Sequence, residues 1–312
     1  MIGAVVGDII GSVHEFSATK HVNFRLFDDH ATFTDDSVLS IAVADCLLSG
    51  ASYVDKFHEY TRGYPDRVYG ASFHEWVECG SREPYNSWGN GSAMRVSAVG
   101  FASKDLDSVL AEARRSAEVT HDHPEGIKGA QATAAAIHLA RSGKTKDQIR
   151  TSIQEMFEYN LARSVEEIRP TYKFDVSCQG TVPEAIIAFL DADCYESAVR
   201  LAISLGGDAD TLACIAGGIA DAYYGGVPAD IAERGLARLD DHLRTVIDRF
   251  CQEFGLREHY EFPDSWWEVQ TRHQLLCSDR DRDPKRKPGG WSRKYQRAWS
   301  KVSRNRKKFG IG

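Results

Sequence analysis

Apolar residues recur every three to four positions along most of the chain, and short polar breaks separate the segments. This spacing is typical of helices that bury one face. It predicts helices over residues 36–48, 105–118, 124–139, 183–190, 195–205, 211–224 and 230–253. Alternating runs of β-branched residues are almost absent, so we expect at most a minor pair of strands. The pattern therefore predicts an all-α fold.

The first segment, GAVVGDIIGSVHE, has a glycine at every fourth position. Gly3, Gly7 and Gly11 would form one flat helix face, although a glycine inside a helix costs about 1 kcal/mol relative to alanine. We therefore predict close packing against a neighbour. Asp8 and Glu15 lie seven residues apart, which is two turns on one helix face. Taken alone, this pair is also typical of an exposed polar stripe.

Composition is that of an ordinary globular protein, with 312 residues, 42% of them hydrophobic and 27% charged. The apolar N-terminus lacks the basic region of a signal peptide, and no run approaches the roughly 20 apolar residues of a membrane span. The cysteines are scattered without a C-x-x-C pair, so we expect small buried residues in a reducing compartment. These are Cys46, Cys79, Cys178, Cys194, Cys214, Cys251 and Cys277. We therefore predict a soluble, cytoplasmic protein.

The net charge of −7 is unevenly distributed. Residues 279–312 carry thirteen Lys and Arg against three Asp, a balance of +10, which leaves −17 on the rest. A body this acidic is a poor non-specific binder of nucleic acid. The polar stretch DRDPKRKPGG then reads as a linker. We predict a body over 1–277 and a basic amphipathic C-terminal extension over 278–312.

Within the extension, Trp291, Tyr295, Trp299 and Val302 fall at helical spacing with basic residues between them. Three interpretations stay open for this predicted helix. Its aromatic stripe could pack on the acidic body, it could contact nucleic acid or another polyanion, or it could meet a membrane surface or a partner protein.

Two predicted helices begin with unusually acidic sequences, FTDDSVLS and GGDADT. They supply Thr34, Asp35 and Asp36 in the first and Asp208, Asp210 and Thr211 in the second. Helix capping alone explains one carboxylate or hydroxyl at each start. Four aspartates brought together would repel unless cations balance them, and hard divalent cations take about six oxygen ligands. No His/Cys set of zinc spacing accompanies them. The pair predicts a binuclear Mg²⁺ or Mn²⁺ site.

The segment SWGNGSAMR places Gly89, Asn90, Gly91 and Ser92 in a loop before a helix. Exposed N–H groups at such a start can hold phosphate, and a plain turn is the alternative.

These motifs, in this order, resemble the ADP-ribosylglycohydrolase family over about residues 1–225. The resemblance rests on G-D-x-x-G-S-x-x-E, T-D-D-S, G-N-G-S-A-M-R, T-H near residue 120 and G-G-D-A-D-T followed by A-G-G-I-A-D-A-Y-Y-G. It implies a compact orthogonal helical bundle with a binuclear metal centre in a central cleft, so that 1–277 would be the catalytic domain. The segment FDVSCQGTVPEA also resembles the family's bacterial branch. We expect it near the cleft, with a structural role for Cys178.

The resemblance implies a role for each matching residue. Glu15 would help to activate the attacking water, and His121 would lie near the ribose, with His123 as the alternative. The Gly89–Ser92 loop would contact the diphosphate and ribose. The implied metal ligands are Thr34, Asp35, Asp36, Asp208, Asp210 and Thr211, and the implied catalytic residues are Glu15, Asp35, Asp36 and Asp208.

The implied activity is hydrolysis at ribose C1″ of an ADP-ribosylated acceptor, with arginine-linked protein favoured. It would require two Mg²⁺ ions, or Mn²⁺ as the alternative, in a protein that we expect to be a monomer. Other candidate substrates are O-acetyl-ADP-ribose and serine-linked or nucleic-acid-linked ADP-ribose. A non-catalytic ADP-ribose-binding protein is the alternative from another class, although the intact Glu15 and aspartates argue against it.

Overall fold

A computed structural model describes residues 1–256 and Tyr260, and this part of the chain is all-α, as predicted. Its only β-type pairing within the described residues is an isolated antiparallel bridge between Gly89 and Ser177. The helices of the described part are α1 (Ile2–Gly11), α2 (Asp35–Ser49), α3 (Tyr53–Gly63), α4 (Ala71–Glu78), α5 (Gly91–Met94), α6 (Ser97–Ala102), α7 (Leu106–Glu118), α8 (Pro124–Arg141), α9 (Lys146–Phe157), α10 (Val165–Ile168), α11 (Cys178–Asp191), α12 (Tyr195–Ser204), α13 (Ala209–Tyr224), α14 (Ala229–Leu236) and α15 (Asp241–Glu253).

These helices belong to one compact unit that runs from Met1 to Glu261. The predicted boundary between 277 and 278 and the predicted tail helix lie outside the described residues and stay predictions. None of the helices in the described part combines the length and the hydropathy that a membrane span requires.

Helices α1 and α13 form the centre of the fold, and their backbones touch. A Cβ atom added to Gly7 would lie 2.2 Å from the carbonyl oxygen of Ala213, and one added to Gly3 would lie 2.5 Å from that of Gly217. At Gly11 it would lie 2.5 Å from Cα of Asp210. The predicted close packing of the glycine face is therefore confirmed. It brings the end of α1 against the acidic start of α13.

The structure corrects two predictions about the helices. Residues 230–253 do not form one helix, because Asp240 accepts a hydrogen bond from the Leu243 backbone at 3.0 Å and so caps a new helix, α15. Glu15 does not share a helix face with Asp8, because α1 ends at Gly11 and Glu15 lies in the turns that follow.

The described cysteines divide into two groups. Cys46, Cys178, Cys214 and Cys251 are buried, as expected, whereas Cys79 and Cys194 are exposed. Cys79 ends α4, and the Cys194 sulfur accepts a hydrogen bond from Ser197 N at 3.4 Å at the start of α12. The expectation of burial is therefore wrong for these two residues.

Candidate active site

Five carboxylates meet where α1 ends and where α2 and α13 begin. Carboxylate oxygens of Asp8, Asp36 and Asp210 lie within 4.8 Å of one another, and so do those of Glu15, Asp208 and Asp210. Asp210 thus belongs to both groups, which we call the carboxylate trios. The structure brings together two helix starts that are about 170 residues apart in the sequence.

Asp8 holds the start of α2 in place. The side chain is fully buried, and its Oδ2 accepts hydrogen bonds from the backbone N–H of Thr34 (3.0 Å) and of Ser37 (3.1 Å) and from the Ser37 hydroxyl. Its Oδ1 accepts from the Thr34 hydroxyl at 2.6 Å. Sequence reasoning did not place Asp8 among the site residues. The available signal was a charge inside an otherwise apolar helix, which needs buried partners.

Thr34 links Asp8 to Asp36. While its hydroxyl donates to Asp8, its oxygen accepts from the Asp36 backbone N–H at 3.3 Å and so caps α2. Thr211 makes a corresponding contact from α13, donating from its hydroxyl to Asp36 Oδ2 at 3.4 Å. The capping function that the sequence allowed is therefore real at Thr34, and it orients the carboxylates of the first trio.

The trios suit divalent cations. Oδ1 of Asp36 is buried and has no hydrogen-bond partner among the described residues. A buried carboxylate oxygen without a partner is unfavourable, and a cation satisfies it. All the candidate ligand atoms are carboxylate or hydroxyl oxygens, the chemistry that Mg²⁺ and Mn²⁺ prefer.

Burial and mutual repulsion raise the pKa of these carboxyl groups. Burial is the largest cause of the raised pKa values of Asp35, Asp36, Asp210 and Glu15. Neighbouring carboxylates add to the effect, with Asp8 and Asp208 acting on Asp35, and Glu15 and Asp208 acting on Asp210. Asp35 is outside the trios, but this coupling places it beside them. Without cations, the cluster therefore keeps its protons to a higher pH than ordinary carboxyl groups do.

This retention predicts how the stability of metal-free protein depends on pH. Above about pH 4, where ordinary carboxyl groups lose their protons, the folded state binds more protons than the unfolded state, so the free energy of unfolding falls as pH rises. Saturating Mg²⁺ should oppose this fall because it binds the deprotonated carboxylates. Denaturant unfolding in chelator and in Mg²⁺ measures both slopes. The free energy of unfolding in Mg²⁺ minus that in chelator reports on the site alone. If this difference does not grow with pH, the prediction is contradicted.

The Gly89–Ser92 loop reaches the second trio through Asn90. Its side-chain amide donates to Asp208 Oδ2 at 2.8 Å and to the Thr181 hydroxyl at 3.2 Å, and its backbone N–H donates to Val176 at 2.8 Å. Asn90 therefore joins this loop to the start of α13. Helix α5, which follows, has only four residues and supplies few aligned dipoles for an anion.

The loop backbone at Gly89 and Gly91 lies next to His121, whereas the Ser92 side chain points toward Gly126. A Cβ atom added to Gly91 would lie 3.2 Å from His121 Nε2, and one added to Gly89 would lie 3.6 Å away. The Ser92 hydroxyl is buried and donates to the Gly126 carbonyl at 2.7 Å. The structure thus brings His121 close to Gly89 and Gly91, whereas the Ser92 side chain contacts Gly126 instead.

His121 and His123 have different positions. The His123 ring caps α8, accepting at Nδ1 from the Glu125 backbone at 3.1 Å. His121 is buried beside the loop, and burial lowers its pKa well below the usual value, with the Arg95 charge adding to the effect. Of the two histidines left open by the sequence, His121 is the one beside the glycine loop.

Cys178 packs under the same loop. It is fully buried, its sulfur donates to the Gly89 carbonyl at 3.0 Å, and a Cβ at Gly129 would lie 2.4 Å from that sulfur. Burial raises the pKa of the thiol to about 12. A thiol in this state is a poor nucleophile, which agrees with the expected structural role.

One surface cavity of about 480 Å³ does not include the predicted site residues. Helices α6, α8 and α15 end there, and Lys104, His138 and Arg141 line it. Cations at the carboxyl ends of helices offset the partial negative charge of those ends. This effect explains Lys104 and Arg141 at the ends of α6 and α8.

The fold and the trios define an all-α protein with an acidic centre of the kind that metal-dependent hydrolases use. The chain belongs to the ADP-ribosylglycohydrolase family, whose sequence model matches residues 1–260. The class of enzyme is therefore a glycohydrolase.

Similar proteins agree with this assignment. Human ADP-ribosylhydrolase ARH3 is 28% identical over 306 residues, covering 72% of this chain and 84% of the relative. ADP-ribosylarginine hydrolase Tri1 of Pseudomonas putida (strain GB-1) is 25% identical over 272 residues, covering 75% and 72%. A solved structure described as an ADP-ribosylglycohydrolase-related protein complex superposes with a TM-score of 0.62 at 25% identity, covering 83% of this chain and 95% of that one.

Proposed function

We propose that this protein hydrolyses the glycosidic bond at ribose C1″ of an ADP-ribosylated acceptor and releases ADP-ribose. The observation that carries the proposal is the pair of carboxylate trios that share Asp210 beside the Asn90 loop. An enzyme of this family needs an acidic centre next to a surface for the ADP-ribose unit, and the residues that the family motifs matched would supply both.

Two Mg²⁺ ions, with Mn²⁺ as the alternative, are the cofactors that we propose for this centre. Within the trios, Asp210 lies beside Asp36 in the first and beside Asp208 in the second, and this arrangement suits two ions, with Asp8 and Glu15 as neighbours that are not ligands. The set of oxygen atoms argues against softer metals. When bound, the ions would orient the ribose hydroxyls and make water a better nucleophile at neutral pH. The ligands would be Thr34, Asp35, Asp36, Asp208, Asp210 and Thr211.

Glu15 is the residue that we propose to handle the proton. It is half-buried, and its carboxyl group forms a hydrogen bond with Asp210. Burial first, and then Asp208, raise the pKa of this group well above its usual value. A carboxyl group with a raised pKa can accept a proton from the attacking water and return it. The breaking C1″ bond would have oxocarbenium character.

The rest of the ADP-ribose unit would lie along Gly89, Asn90 and Gly91, with His121 beside the ribose. Ser92 would support this loop from beneath, given its bond to Gly126. Asn90 would also orient a metal ligand, because its side-chain amide donates a hydrogen bond to Asp208.

Arginine is the acceptor that we favour, since the bacterial relative Tri1 is an ADP-ribosylarginine hydrolase. O-acetyl-ADP-ribose and serine-linked or nucleic-acid-linked ADP-ribose are the alternatives. A contact of the basic extension with nucleic acid, a monomeric state and a cytoplasmic location stay predictions from the sequence.

The first test is release of ADP-ribose from arginine-ADP-ribosylated protein, with Mg²⁺ and with chelator. We expect release to require the metal and to be lost in Asp208→Asn, while Asp193→Asn, an exposed aspartate outside the trios, keeps full activity. Glu15→Gln should slow hydrolysis by roughly 10²–10⁴-fold yet still bind ADP-ribose, because it removes a proton acceptor and no metal ligand.

Each outcome of this assay has a clear meaning. No release from arginine would overturn the acceptor and direct the assay to the other linkages. Binding of ADP-ribose without hydrolysis of any linkage would favour the non-catalytic alternative. Full activity of wild-type protein in chelator would contradict the metal-dependent mechanism.

A further inference from the structure

Arg95 is a fully buried cation beneath the glycine loop. Its guanidinium group lies 4.2 Å from the centre of the Phe57 ring and donates to the Ser116 carbonyl at 2.9 Å. The same nitrogen donates to the Thr120 hydroxyl oxygen at 2.8 Å. Burying a charge is costly unless its surroundings use it. The position of Arg95 next to Thr120 therefore needs an explanation that packing alone does not provide.

Thr120 lies between Arg95 and His121 and has a polar contact with each of them. The Thr120 oxygen lies 2.8 Å from His121 Nδ1, and Thr120 is fully buried. A guanidinium group only donates hydrogen bonds, so the Thr120 oxygen must be the acceptor in its contact with Arg95. The single hydroxyl proton of Thr120 then needs its own acceptor.

His121 Nδ1 is the acceptor that the described residues offer to this hydroxyl. If Nδ1 carried a proton, that proton would point at the Thr120 oxygen, and the buried hydroxyl proton would be left without a partner. Leaving a buried donor unsatisfied is unfavourable enough to select one tautomer. Nδ1 is therefore unprotonated, and the neutral ring carries its proton on Nε2. The lowered pKa of His121 agrees with a neutral ring.

Nε2 faces the glycine loop at a place where no side chain intervenes. Apart from its two chain neighbours and the backbone of its own helix, the position of a Cβ atom on Gly91 has only two atoms within 4 Å, His121 Nε2 at 3.2 Å and His121 Cε1 at 3.4 Å. A ligand atom at this position would meet the Nε2–H group directly. Any side chain at residue 91 would occupy the same space.

We propose that Arg95 and Thr120 are positioning residues that hold His121 as a neutral Nε2–H donor toward an acceptor oxygen of the ADP-ribose unit beside Gly91. The proposal rests on the proposed function. It makes His121 a binding residue that donates one hydrogen bond, and it excludes His121 as a general base or a metal ligand. It also gives the buried Arg95 a task, since Arg95 fixes the direction of the Thr120 hydroxyl.

The test combines ¹⁵N NMR of the histidine side chains with binding of free ADP-ribose measured by calorimetry. The resonances that disappear in the His121→Gln variant are assigned to His121. Wild-type His121 should show the neutral Nε2–H tautomer at about pH 6.5, where an ordinary histidine is half protonated. Thr120→Val keeps the shape but removes the hydroxyl, so it should mix the tautomers and weaken ADP-ribose binding about tenfold. Thr120→Ser should restore both.

The possible results separate this proposal from the proposed function. A wild-type Nδ1–H tautomer, or a protonated ring near pH 7, would overturn the proposal even if the enzyme is active. The proposal would also be overturned if Thr120→Val loses the Nε2–H tautomer of His121 but binds ADP-ribose as tightly as wild type. If Thr120→Val does not fold, the tautomer of wild-type His121 still tests the proposal, and Thr120→Ser should show the same tautomer. Failure of wild-type protein to bind ADP-ribose would overturn the ligand assignment, whereas loss of hydrolysis alone affects only the proposed function.

Discussion

Asp210→Asn is expected to abolish hydrolysis and, at the same time, to stabilise the metal-free protein. Asp210 belongs to both trios, and burial together with Glu15 and Asp208 raises its pKa well above the usual value. Asparagine has nearly the same shape and no charge, so it removes repulsion from both trios at once. We expect a gain on the order of 1 kcal/mol in chelator near pH 7, or a melting temperature higher by about 2–4 °C.

Mg²⁺ should reverse this order. Wild-type protein gains stability from a bound ion in proportion to the logarithm of the Mg²⁺ concentration above its dissociation constant. The variant lacks a ligand common to both trios, so its Mg²⁺ affinity should fall by more than about 100-fold, which exceeds the usual loss for a residue outside the ligand shell. The melting curves of the two proteins should therefore cross as Mg²⁺ is added.

Thermal melts in chelator and across a Mg²⁺ titration, together with turnover, check both parts of this prediction. Asp193→Asn is the matched control, since it makes the same chemical change on an exposed residue. A variant that is less stable in chelator and still normally stabilised by Mg²⁺ would show that Asp210 serves the fold and not the ions.

Gly7→Ala is expected to destabilise the protein by about 3 kcal/mol or more, although alanine is the better helix former. The added Cβ would lie 2.2 Å from the Ala213 carbonyl oxygen and 2.7 Å from its carbon. Both are backbone atoms, so relief requires α1 and α13 to move apart. That movement would separate Asp8 from Asp210, and a displacement of about 1 Å at a reacting centre can cost 10²-fold in rate.

Gly63→Ala is the matched control for this substitution. Gly63 is the last residue of α3, it is exposed, and a Cβ there would have nothing within 4 Å. It should be neutral or slightly stabilising, by up to about 1 kcal/mol. Urea unfolding and the Mg²⁺-dependent rise in melting temperature provide the measurements. Equal stability of the Gly7 variant and wild type would mean that the helix contact is looser than the structure shows.

Local patterns in the sequence predicted the features that depend on neighbouring residues. The helical period located the main helices, and Gly3, Gly7 and Gly11 indicated the α1 contact. The break before α15 was missed although Asp240 and Asp241 carried a capping signal, because the apolar period of residues 230–253 continues across it. Helix α9 was missed although Thr145 and Gln148 form a capping box and the buried residues Ile149, Ile153 and Phe157 recur every four positions.

The candidate site was predictable only in part. Asp36, Asp208 and Asp210 could be found because two similar acidic motifs suggested a shared purpose. Asp8 was missed as a site residue because its partners lie on α2 and at its start, 26 and 29 residues away in the sequence.

The hydrogen bonds that connect Arg95, Thr120 and His121 could not be predicted from the sequence either. They depend on a contact between residues 25 positions apart and on the direction of one hydroxyl proton. No local pattern records a relation of this kind, because it arises only when the chain is folded.

The backbone contact between α1 and α13 affects how the site would tolerate redesign of the surrounding core. Where two helices are separated by side chains, their distance varies with the size and rotamers of those side chains. Here the peptide groups themselves meet, at Gly7 against Ala213 and at Gly11 against Asp210. Their separation is thus a property of main-chain atoms, which are the same in every sequence. Protein engineers could repack the apolar flanks of α1, for example at Val5 or Ile9, without resetting the distance between the two ends of the carboxylate cluster.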